Sequence, residues 1–352
     1  MTRRMLLRMA FAVFALGLLQ GCDRDGGTSS GSGSGGGSSA SPAGGPSTAS
    51  TGGNTGGKSL RIAVIPKGTT HLHWRSVEAG AKKAAQELGA EVIWKGPLTE
   101  NDVAQQIGLV EQFTQEGVSG IAVAPLDATQ LARPVKQAAA KGIPVVIFDS
   151  SLNGTLGKDY VAYVATDNKK GGVLGGEEVA RLLNGKGKVV MVRYNVGSAS
   201  TDQREAGFLE VMAKNPGIQV IEKSQYSGAT VGDAQKKAEN MLDRLKEADG
   251  IFCPNESSTQ GFLNVLKANG LTGKKVFVGF DASPSLVSAL KAGEVQALVA
   301  QNPTFMGDQT VRAMVAQLRG EKFEPNIDTG CALVTKASLE TPEIKRMLGQ
   351  GQ

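Results

Sequence analysis

From residue 58 onward, short apolar runs alternate with segments of helical periodicity, and this alternation limits the possible folds more than any other feature. Leu60–Ile65 is typical of a buried strand, and Val77, Ala81 and Leu88 then follow at the spacing of one helical face. Strands connected through helices need crossovers, which favours parallel sheets with helices on both faces. About ten predicted strands are more than one sheet usually holds. We therefore predict an α/β fold of two doubly wound lobes, with residues 234–246 as a single helix.

The first 22 residues have the composition of a signal peptide. A basic start, Thr2-Arg3-Arg4, precedes an apolar run from Met9 to Leu19. About 11 apolar residues cannot span a bilayer core, which needs ~20, but they fit the hydrophobic region of a signal peptide. The segment ends in Leu19-Gln20-Gly21-Cys22, which resembles a bacterial lipobox. We predict that Cys22 is acylated and anchors the chain to a membrane. An ordinary secretory signal that happens to precede a cysteine is the alternative.

Residues 23–57 are rich in glycine and serine, with 13 Gly and 9 Ser. Such a segment has too little apolar surface to fold, so we predict a disordered linker. A flexible coil of this length has an r.m.s. span of ~30–35 Å. The linker would hold a folded domain, residues 58–349, just off the membrane surface.

Charge and cysteine content exclude several classes of function. The formal net charge is +5, and Arg3, Arg4 and Arg8 contribute three of those charges. The remaining net charge is too small to indicate nucleic-acid binding. Three cysteines cannot form a four-thiolate metal site or a disulfide scaffold. Cys253 and Cys331 lie in predicted apolar strands, so we predict two buried reduced thiols, with a disulfide as the alternative.

Polar residues follow several predicted strands at the point where each strand ends. In doubly wound sheets the ligand binds beyond the carboxyl ends of the strands. Any one of these residues could be a helix cap, because Asp, Ser and Asn are preferred caps. Five equivalent positions together indicate a ligand site: Lys67, Asp149-Ser150, Asn255-Glu256, Asp281 and Gln301.

An ordered series of motifs resembles the ribose-type periplasmic sugar-binding proteins, type I of that superfamily, from about residue 60 to residue 348. The resemblance implies two Rossmann-like lobes that close on a sugar. It implies three hinge crossings, near Thr166, Gln301 and Asp328, with lobe 1 at 58–165 and 302–327 and lobe 2 at 167–300 and 329–349. The motifs are Ile143-Pro144-Val145-Val146-Ile147-Phe148-Asp149, Ala165-Thr166-Asp167-Asn168, Arg204-Glu205-Ala206-Gly207-Phe208, Pro254-Asn255-Glu256, Val278-Gly279-Phe280-Asp281 and then Gln301.

The same resemblance implies a set of ligand contacts. Trp74 falls where the family places an aromatic ring that stacks on the sugar. Carboxylates and other polar groups would bind the hydroxyls by strong, orienting hydrogen bonds: Asp149 from lobe 1, Asn255 and Asp281 from lobe 2, Arg204 as a basic donor and Gln301 at a hinge.

The sequence also departs from the ribose branch. Ser150 and Asp202 stand where that branch has arginines, and His73 replaces one of its aromatic residues. Lys67, in Ile65-Pro66-Lys67, and Asp202, in Thr201-Asp202-Gln203, are similar to the autoinducer-2 receptor branch. We therefore include Lys67, His73, Ser150 and Asp202 in the predicted ligand site and do not predict ribose itself.

The two histidines raise the question of a metal site or an enzyme. His71 and His73 could bind zinc if a carboxylate joined them, but hydrogen bonding to a polyol is the interpretation we prefer. From residue 60 onward the sequence has neither a phosphate-binding Gly-x-x-x-x-Gly-Lys nor a Gly-x-Ser-x-Gly motif. The two matching strings, Gly52–Lys58 and Gly27–Gly31, lie before the first predicted strand, whereas both motifs have to follow a strand. We predict no metal, no cofactor and no enzymatic activity. A hydrolase using either histidine as a base is the alternative.

These observations predict a monomeric, lipid-anchored solute-binding protein of the cell envelope. It would capture a monosaccharide or small polyol by hinge closure and deliver it to the permease of an ABC importer. The alternative is a receptor for a sugar or an autoinducer-2-like molecule that docks on a chemoreceptor or sensor kinase. The N-terminal segment leaves no place for a helix-turn-helix, so DNA binding is not expected.

Overall fold

The computed structural model describes residues 59–349, which form two lobes, each built on a six-stranded sheet. The sheet of lobe 1 has the order β2-β1-β3-β4-β5-β11, and all its strand pairs are parallel. Its strands are nearly continuous apolar runs because both faces are covered. They are β1 (Leu60–Ile65), β2 (Ala90–Trp94), β3 (Gly120–Val123), β4 (Val145–Phe148), β5 (Ala162–Ala165) and β11 (Asn326–Asp328).

The sheet of lobe 2 repeats this arrangement in the order β7-β6-β8-β9-β10-β12. Its pairs are parallel except for β10 with β12, which is antiparallel because the chain enters β12 from the opposite lobe and runs back along the sheet. The strands are β6 (Gly187–Met191), β7 (Ile218–Glu222), β8 (Gly250–Phe252), β9 (Val276–Phe280), β10 (Ala297–Gln301) and β12 (Cys331–Thr335).

Helices cover both faces of each sheet. In lobe 1, α1 and α10 pack on one face, and α2 and α3 on the other. In lobe 2, α4 and α5 pack on one face, and α6 to α9 with α11 on the other. The helices are α1 (Leu72–Leu88), α2 (Val103–Glu116), α3 (Ala132–Ala140), α4 (Asn168–Leu182), α5 (Ala199–Ala213), α6 (Val231–Asn240), α7 (Leu242–Glu247), α8 (Glu256–Ala268), α9 (Pro284–Ala292), α10 (Pro303–Arg319) and α11 (Pro342–Met347).

The chain passes between the two sheets three times. It leaves the first sheet after β5, returns from the second after β10, and crosses again between β11 and β12. The crossings lie next to one another, since the Thr166 hydroxyl donates to Gln301 Oε1 at 3.0 Å and lies 3.4 Å from the Thr329 hydroxyl. The predicted fold class, two doubly wound lobes with three crossings, is confirmed.

Some details differ from the sequence-based predictions. The helix predicted over 234–246 is two helices, α6 and α7, interrupted at Met241, whose φ of −101° and ψ of 9° depart from helical values. Apolar periodicity does not detect such a break, because Ala234, Ala238 and Leu245 all remain buried. The short strand β11 of the last crossing was not predicted, whereas the apolar strand expected at Cys331 is β12.

The predicted signal peptide, the lipidation site at Cys22 and the Gly/Ser linker lie outside the described residues. Within residues 59–349, no helix has the length and apolar character needed to cross a membrane. Both cysteines of this range, Cys253 and Cys331, are free, the first buried and the second half-buried.

Candidate functional site

A polar cleft lies between the two lobes, where the carboxyl ends of both sheets meet. Its cavity volume is about 30 Å³, so the lining side chains nearly fill it in this structure. Nine of the eleven predicted site residues line it: Lys67, His71, His73, Trp74, Asp149, Arg204, Asn255, Asp281 and Gln301. Parallel strands end at the same edge of a sheet, so residues far apart in sequence converge here.

Two aspartates occupy matching positions in the two lobes. Asp149 follows β4 and Asp281 follows β9, and each strand is the fourth in its sheet. Both have a left-handed backbone, with φ of 61° and 68°. Few residues other than glycine adopt this conformation, and Asp and Asn are the main exceptions. The turn after each strand therefore favours an aspartate and aims its carboxylate into the cleft.

Asp149 is the centre of a buried ionic cluster. Lys67 Nζ lies 3.1 Å from Asp149 Oδ2, and His73 Nε2 lies 3.3 Å from Oδ1. Burial would raise the pKa of Asp149, but the positive charges of Lys67 and His73 hold it well below its usual range. His73 Nε2 is buried, and its contact with Asp149 is an ion pair rather than a well-aligned hydrogen bond.

A second cluster joins His71, Glu100 and Trp74. His71 Nδ1 lies 2.7 Å from Glu100 Oε1, and the indole N–H of Trp74 donates to the same oxygen at 2.8 Å. Burial would lower the pKa of His71, but the Glu100 carboxylate raises it to about 9. Burial would likewise raise the pKa of Glu100, and His71 instead lowers it to about 2. The pair is ionised at neutral pH.

Trp74 is fixed by its surroundings. The ring is 2% exposed and packs edge-on against His73 and Phe148, with centroid distances of 4.8 and 6.2 Å. Since its N–H is held by Glu100, the indole forms a rigid wall at the lobe 1 side of the cleft.

Arg204 is the main basic group from lobe 2. Its guanidinium lies over the Phe280 ring at 3.9 Å. Its hydrogen bonds go to neutral acceptors, Asn168 Oδ1 at 2.8 Å and Pro254 O at 2.9 Å. These contacts orient the guanidinium group, and its positive charge faces the cleft.

Asp281 connects the cleft to the crossings. Gln301 Nε2 donates to Asp281 Oδ1 at 2.6 Å, and Gln301 Oε1 accepts from Thr166. The other carboxylate oxygen accepts from the Glu256 backbone N–H at 2.9 Å. The position of Asp281 therefore depends on residues of two crossings.

Glu256 links the lobes directly. Its carboxylate, at the start of α8 in lobe 2, accepts from the backbone N–H groups of Leu72 and His73 at 3.4 and 3.2 Å. These groups form the N-terminus of α1 in lobe 1, which favours negative charge. Burial and the nearby Asp281 raise the pKa of Glu256.

Two predicted site residues, Ser150 and Asp202, do not line the cleft. A third, Asn255, lines it but also caps a helix. Asp202 pairs with Arg193 at 2.9 Å, and its side chain is 42% exposed. Ser150 is fully buried, and its hydroxyl accepts from the Ser200 backbone N–H of lobe 2. Asn255 lines the cleft, but its side chain also caps α8 by accepting from Ser258 N.

Sequence reasoning missed several residues of the lining. Glu256 was included among the strand-end residues that indicate a ligand site but was given no ligand contact of its own, and Glu100, Tyr194, Ser200 and Thr201 were not singled out. Glu100 lies in the loop after β2, beyond Gly96-Pro97, so its position near a strand end was the available signal. Ser200 and Thr201 lie in the first turn of α5, which begins before the helix predicted from Gln203.

The histidines do not share a carboxylate, because His71 pairs with Glu100 and His73 approaches Asp149. Among residues 59–349 no group of three or more His, Cys, Asp or Glu side chains is arranged to hold a metal ion.

Comparison with known proteins supports this description. The family model described as a periplasmic binding protein domain matches residues 62–322. The chain belongs to the periplasmic binding protein family. The resemblance to its ribose-type sugar-binding members, which the motifs predicted, is confirmed.

Among its relatives in this family is the D-allose-binding periplasmic protein of Escherichia coli (strain K12), which is 30% identical over 269 residues, 75% of this chain and 86% of that protein. A carbohydrate transporter solute-binding protein from Agrobacterium radiobacter, solved with D-arabinose, has a TM-score of 0.78 at 30% identity and covers 82% of this chain and 99% of its own. An ABC transporter solute-binding protein from Agrobacterium vitis, solved with D-fucose, has a TM-score of 0.78 at 33% identity and covers 81% and 98%. All three are named as binding proteins rather than enzymes, in agreement with the prediction.

Proposed function

We propose that this protein captures a monosaccharide or small cyclic polyol between its lobes and delivers it to the permease of an ABC importer. The observation that carries the proposal is the convergence of charged and hydrogen-bonding side chains from both lobes on one cleft. Relatives named for D-allose, and solved with D-arabinose and D-fucose, support a sugar as the ligand class.

The charges of the cleft favour a neutral ligand. Four bases and four acids line it, so the site carries little net charge: Lys67, His71, His73 and Arg204 against Glu100, Asp149, Glu256 and Asp281. A sugar hydroxyl both donates and accepts, so one ring can bind carboxylates and cations together. Hydrogen bonds to charged groups are about twice as strong as neutral ones, which suits a small ligand that must be held firmly.

The same contacts supply the transport signal. A ligand that contacts Asp149 in lobe 1 and Asp281 in lobe 2 stabilises the closed arrangement of the lobes over an open one. Movement would occur at the three adjacent crossings, where Gln301 bonds to both Thr166 and Asp281. The permease would recognise the closed form.

The N-terminal segment is proposed to attach the protein to a membrane. Acylation at Cys22 would anchor the protein at the outer face of a membrane, and the Gly/Ser linker would give the lobes a reach of ~30–35 Å towards a permease.

The test is a thermal-shift screen of the full chain against D-ribose, D-allose, D-arabinose, D-fucose, myo-inositol and autoinducer-2, followed by calorimetry on each hit. A ligand at 100 times its Kd adds ~2.7 kcal/mol of stability, which is readily detected. Uptake of the radiolabelled hit by cells with and without the protein then separates import from sensing. Absence of any shift, or unchanged uptake, would refute the proposal.

A further inference from the structure

The N-termini of α1 and α5 are bound by side chains of the opposite lobe. The two helices are equivalent, because α1 follows β1 and α5 follows β6, and each strand is second in the order of its sheet. At α1, the Glu256 carboxylate of lobe 2 accepts from the backbone N–H groups of Leu72 and His73 at 3.4 and 3.2 Å. At α5, the Ser150 hydroxyl of lobe 1 accepts from the Ser200 backbone N–H at 3.0 Å. We call these two contacts the cross-caps.

Neither helix is capped by its own N-cap residue. Within residues 59–349, six helices begin with a hydrogen bond to the side chain of their own N-cap residue: α2, α4, α6, α8, α10 and α11. The N-cap residues of α1 and α5 are His71 and Ser198, and neither side chain makes such a bond. His71 pairs with Glu100 instead, and the Ser198 hydroxyl accepts from Lys67 at 3.3 Å. The first-turn N–H groups in the cross-caps therefore depend on the opposite lobe for a partner.

A cross-cap stabilises only the closed arrangement of the lobes. With the lobes together, Ser150 and Ser200 are 0% and 2% exposed, so loss of the Ser150 hydroxyl would leave the Ser200 N–H buried without a partner. With the lobes apart, water can bind the first-turn N–H groups of both helices. A buried N–H without a partner is costly, whereas a hydrated one is not. Loss of either cap should therefore favour the open arrangement and leave the fold of each lobe intact.

The capped turns carry residues of the ligand site. His73 and Trp74 of α1, and Ser200 and Thr201 of α5, line the cleft. The cross-caps thus bring together the two helix starts between which a ligand would bind. Ser150 does not itself line the cleft, so its effect on binding would come from the position of α5 rather than from contact with the ligand.

We propose that Glu256 and Ser150 are positioning residues that set the equilibrium between open and closed lobes through the cross-caps, and thereby set the affinity for the ligand. The caps favour closure through contacts of the protein itself, and a ligand adds its own contacts to them. This inference rests on the lobe movement of the proposed function and assigns control of that movement to two residues.

The test measures the radius of gyration of the ligand-free full chain by small-angle X-ray scattering, for the unmodified protein, Ser150→Ala and Glu256→Ala. The N-terminal segment is the same in all three, so a difference reports on the lobes. Loss of a helix cap should lower the ratio of closed to open molecules about five- to tenfold, and the radius of gyration should rise in both variants.

Thr230→Ala is the matched control. The Thr230 hydroxyl caps α6 within lobe 2, where it accepts from the Asp233 backbone N–H at 3.1 Å. Its loss removes a cap of the same kind without affecting a contact between the lobes, so the radius of gyration should not change. Glu256→Gln keeps a side-chain acceptor but loses the charge, and it should give a value between those of the unmodified protein and Glu256→Ala.

Calorimetry with D-ribose, D-allose, D-arabinose and D-fucose connects closure to binding. For each sugar that the unmodified protein binds, both cap variants should bind more weakly, by up to the same five- to tenfold factor, because only the closed fraction binds with full affinity. A direct contact between Glu256 and the sugar would instead weaken binding in Glu256→Ala alone and leave its radius of gyration unchanged.

Three results bear on the inference in different ways. If a bound sugar lowers the radius of gyration of the unmodified protein while both cap variants match that protein without ligand, the lobe movement stands and the inference is refuted. A rise in only one of the two variants would refute the paired action of the cross-caps. Failure of all four sugars to bind would refute the sugar ligand of the proposed function, and scattering by the ligand-free chain would still decide the inference.

Discussion

The Lys67 ammonium lies 3.1 Å from the Asp149 carboxylate in a position where the two side chains are 3% and 5% exposed. The same ammonium donates to the Ser200 hydroxyl of the opposite lobe at 2.8 Å. One cation therefore neutralises the central carboxylate of lobe 1 and also binds lobe 2. A buried pair of this kind is expensive to break, because the remaining charge has lost its partner but stays out of water.

Lys67→Met should lower the free energy of unfolding by about 3 kcal/mol, since it leaves Asp149 buried with His73 as its remaining cation. Urea unfolding measures the loss. The double variant Lys67→Met/Asp149→Asn removes both charges and should recover part of the stability. A double variant as unstable as the sum of the two single variants would show that the pair is not coupled.

Asp149→Asn should weaken binding of any sugar that the unmodified protein binds by about 10- to 100-fold, since hydrogen bonds to charged groups contribute ~1.5–3 kcal/mol. Asparagine tolerates the left-handed backbone at this position, so the turn after β4 should be preserved. Asp202→Asn is the matched control, because Asp202 pairs with Arg193 outside the cleft lining. Calorimetry on both variants checks the assignment, and equal losses would contradict it.

The free energy of unfolding should fall as pH rises above neutrality, because His71 loses its proton. The pKa of His71 is raised from 6.5 to about 9 in the folded protein, so its stabilising effect is complete below pH 6.5 and is lost as pH rises towards 9. The pKa of Glu100 is lowered from 4.5 to about 2, so its contribution is complete above pH 4.5 and is lost as pH falls towards 2.

The measurement is the melting temperature from pH 5 to pH 9.5 for the unmodified protein and for His71→Gln. The difference between the two curves isolates this histidine from other titrating groups, such as Glu205, whose pKa is raised to about 7 by burial. We expect the difference to shrink above pH 6.5. A constant difference across the range would contradict the ionised pair.

Much of the fold followed from the sequence because its signals are local. Strands buried on both faces require continuous apolar runs, and the left-handed turns after β4 and β9 require Asp, Asn or Gly. The apolar runs located the lobes, while Asp149 and Asp281 were found from their positions after predicted strands and from the family resemblance; the left-handed turns became evident only in the structure. The crossings at Thr166 and Gln301 came from the family resemblance instead.

The orientation of side chains did not follow from the sequence. Asp202 and Arg204 lie on the same helix, yet Arg204 faces the cleft while Asp202 turns to Arg193. Glu100 lies in a loop whose path is fixed by contacts with Trp74 and His71, residues about 30 positions earlier. Such contacts between distant residues produce no periodic pattern in the sequence, so they could not be predicted from it.

Close packing of α4 against α5 positions Arg204 and leads to a last prediction. A Cβ added at Gly172 would overlap the backbone carbonyl of Arg204, so the two helices approach at a point that only glycine allows. Gly172→Ala should lower the free energy of unfolding by about 1–3 kcal/mol, as overpacking does, and should also weaken sugar binding by displacing Arg204.

Gly108→Ala is the matched control, because Gly108 is exposed on α2 and a Cβ there meets no atom within 4 Å. Alanine is the better helix former, so this change should raise stability by about 0.5–1 kcal/mol and leave binding unchanged. Urea unfolding and calorimetry on both variants provide the comparison. If Gly172→Ala were as stable as Gly108→Ala, α5 would be free to move away from α4, and the position of Arg204 would have to depend on Asn168 and Pro254 rather than on the helix contact.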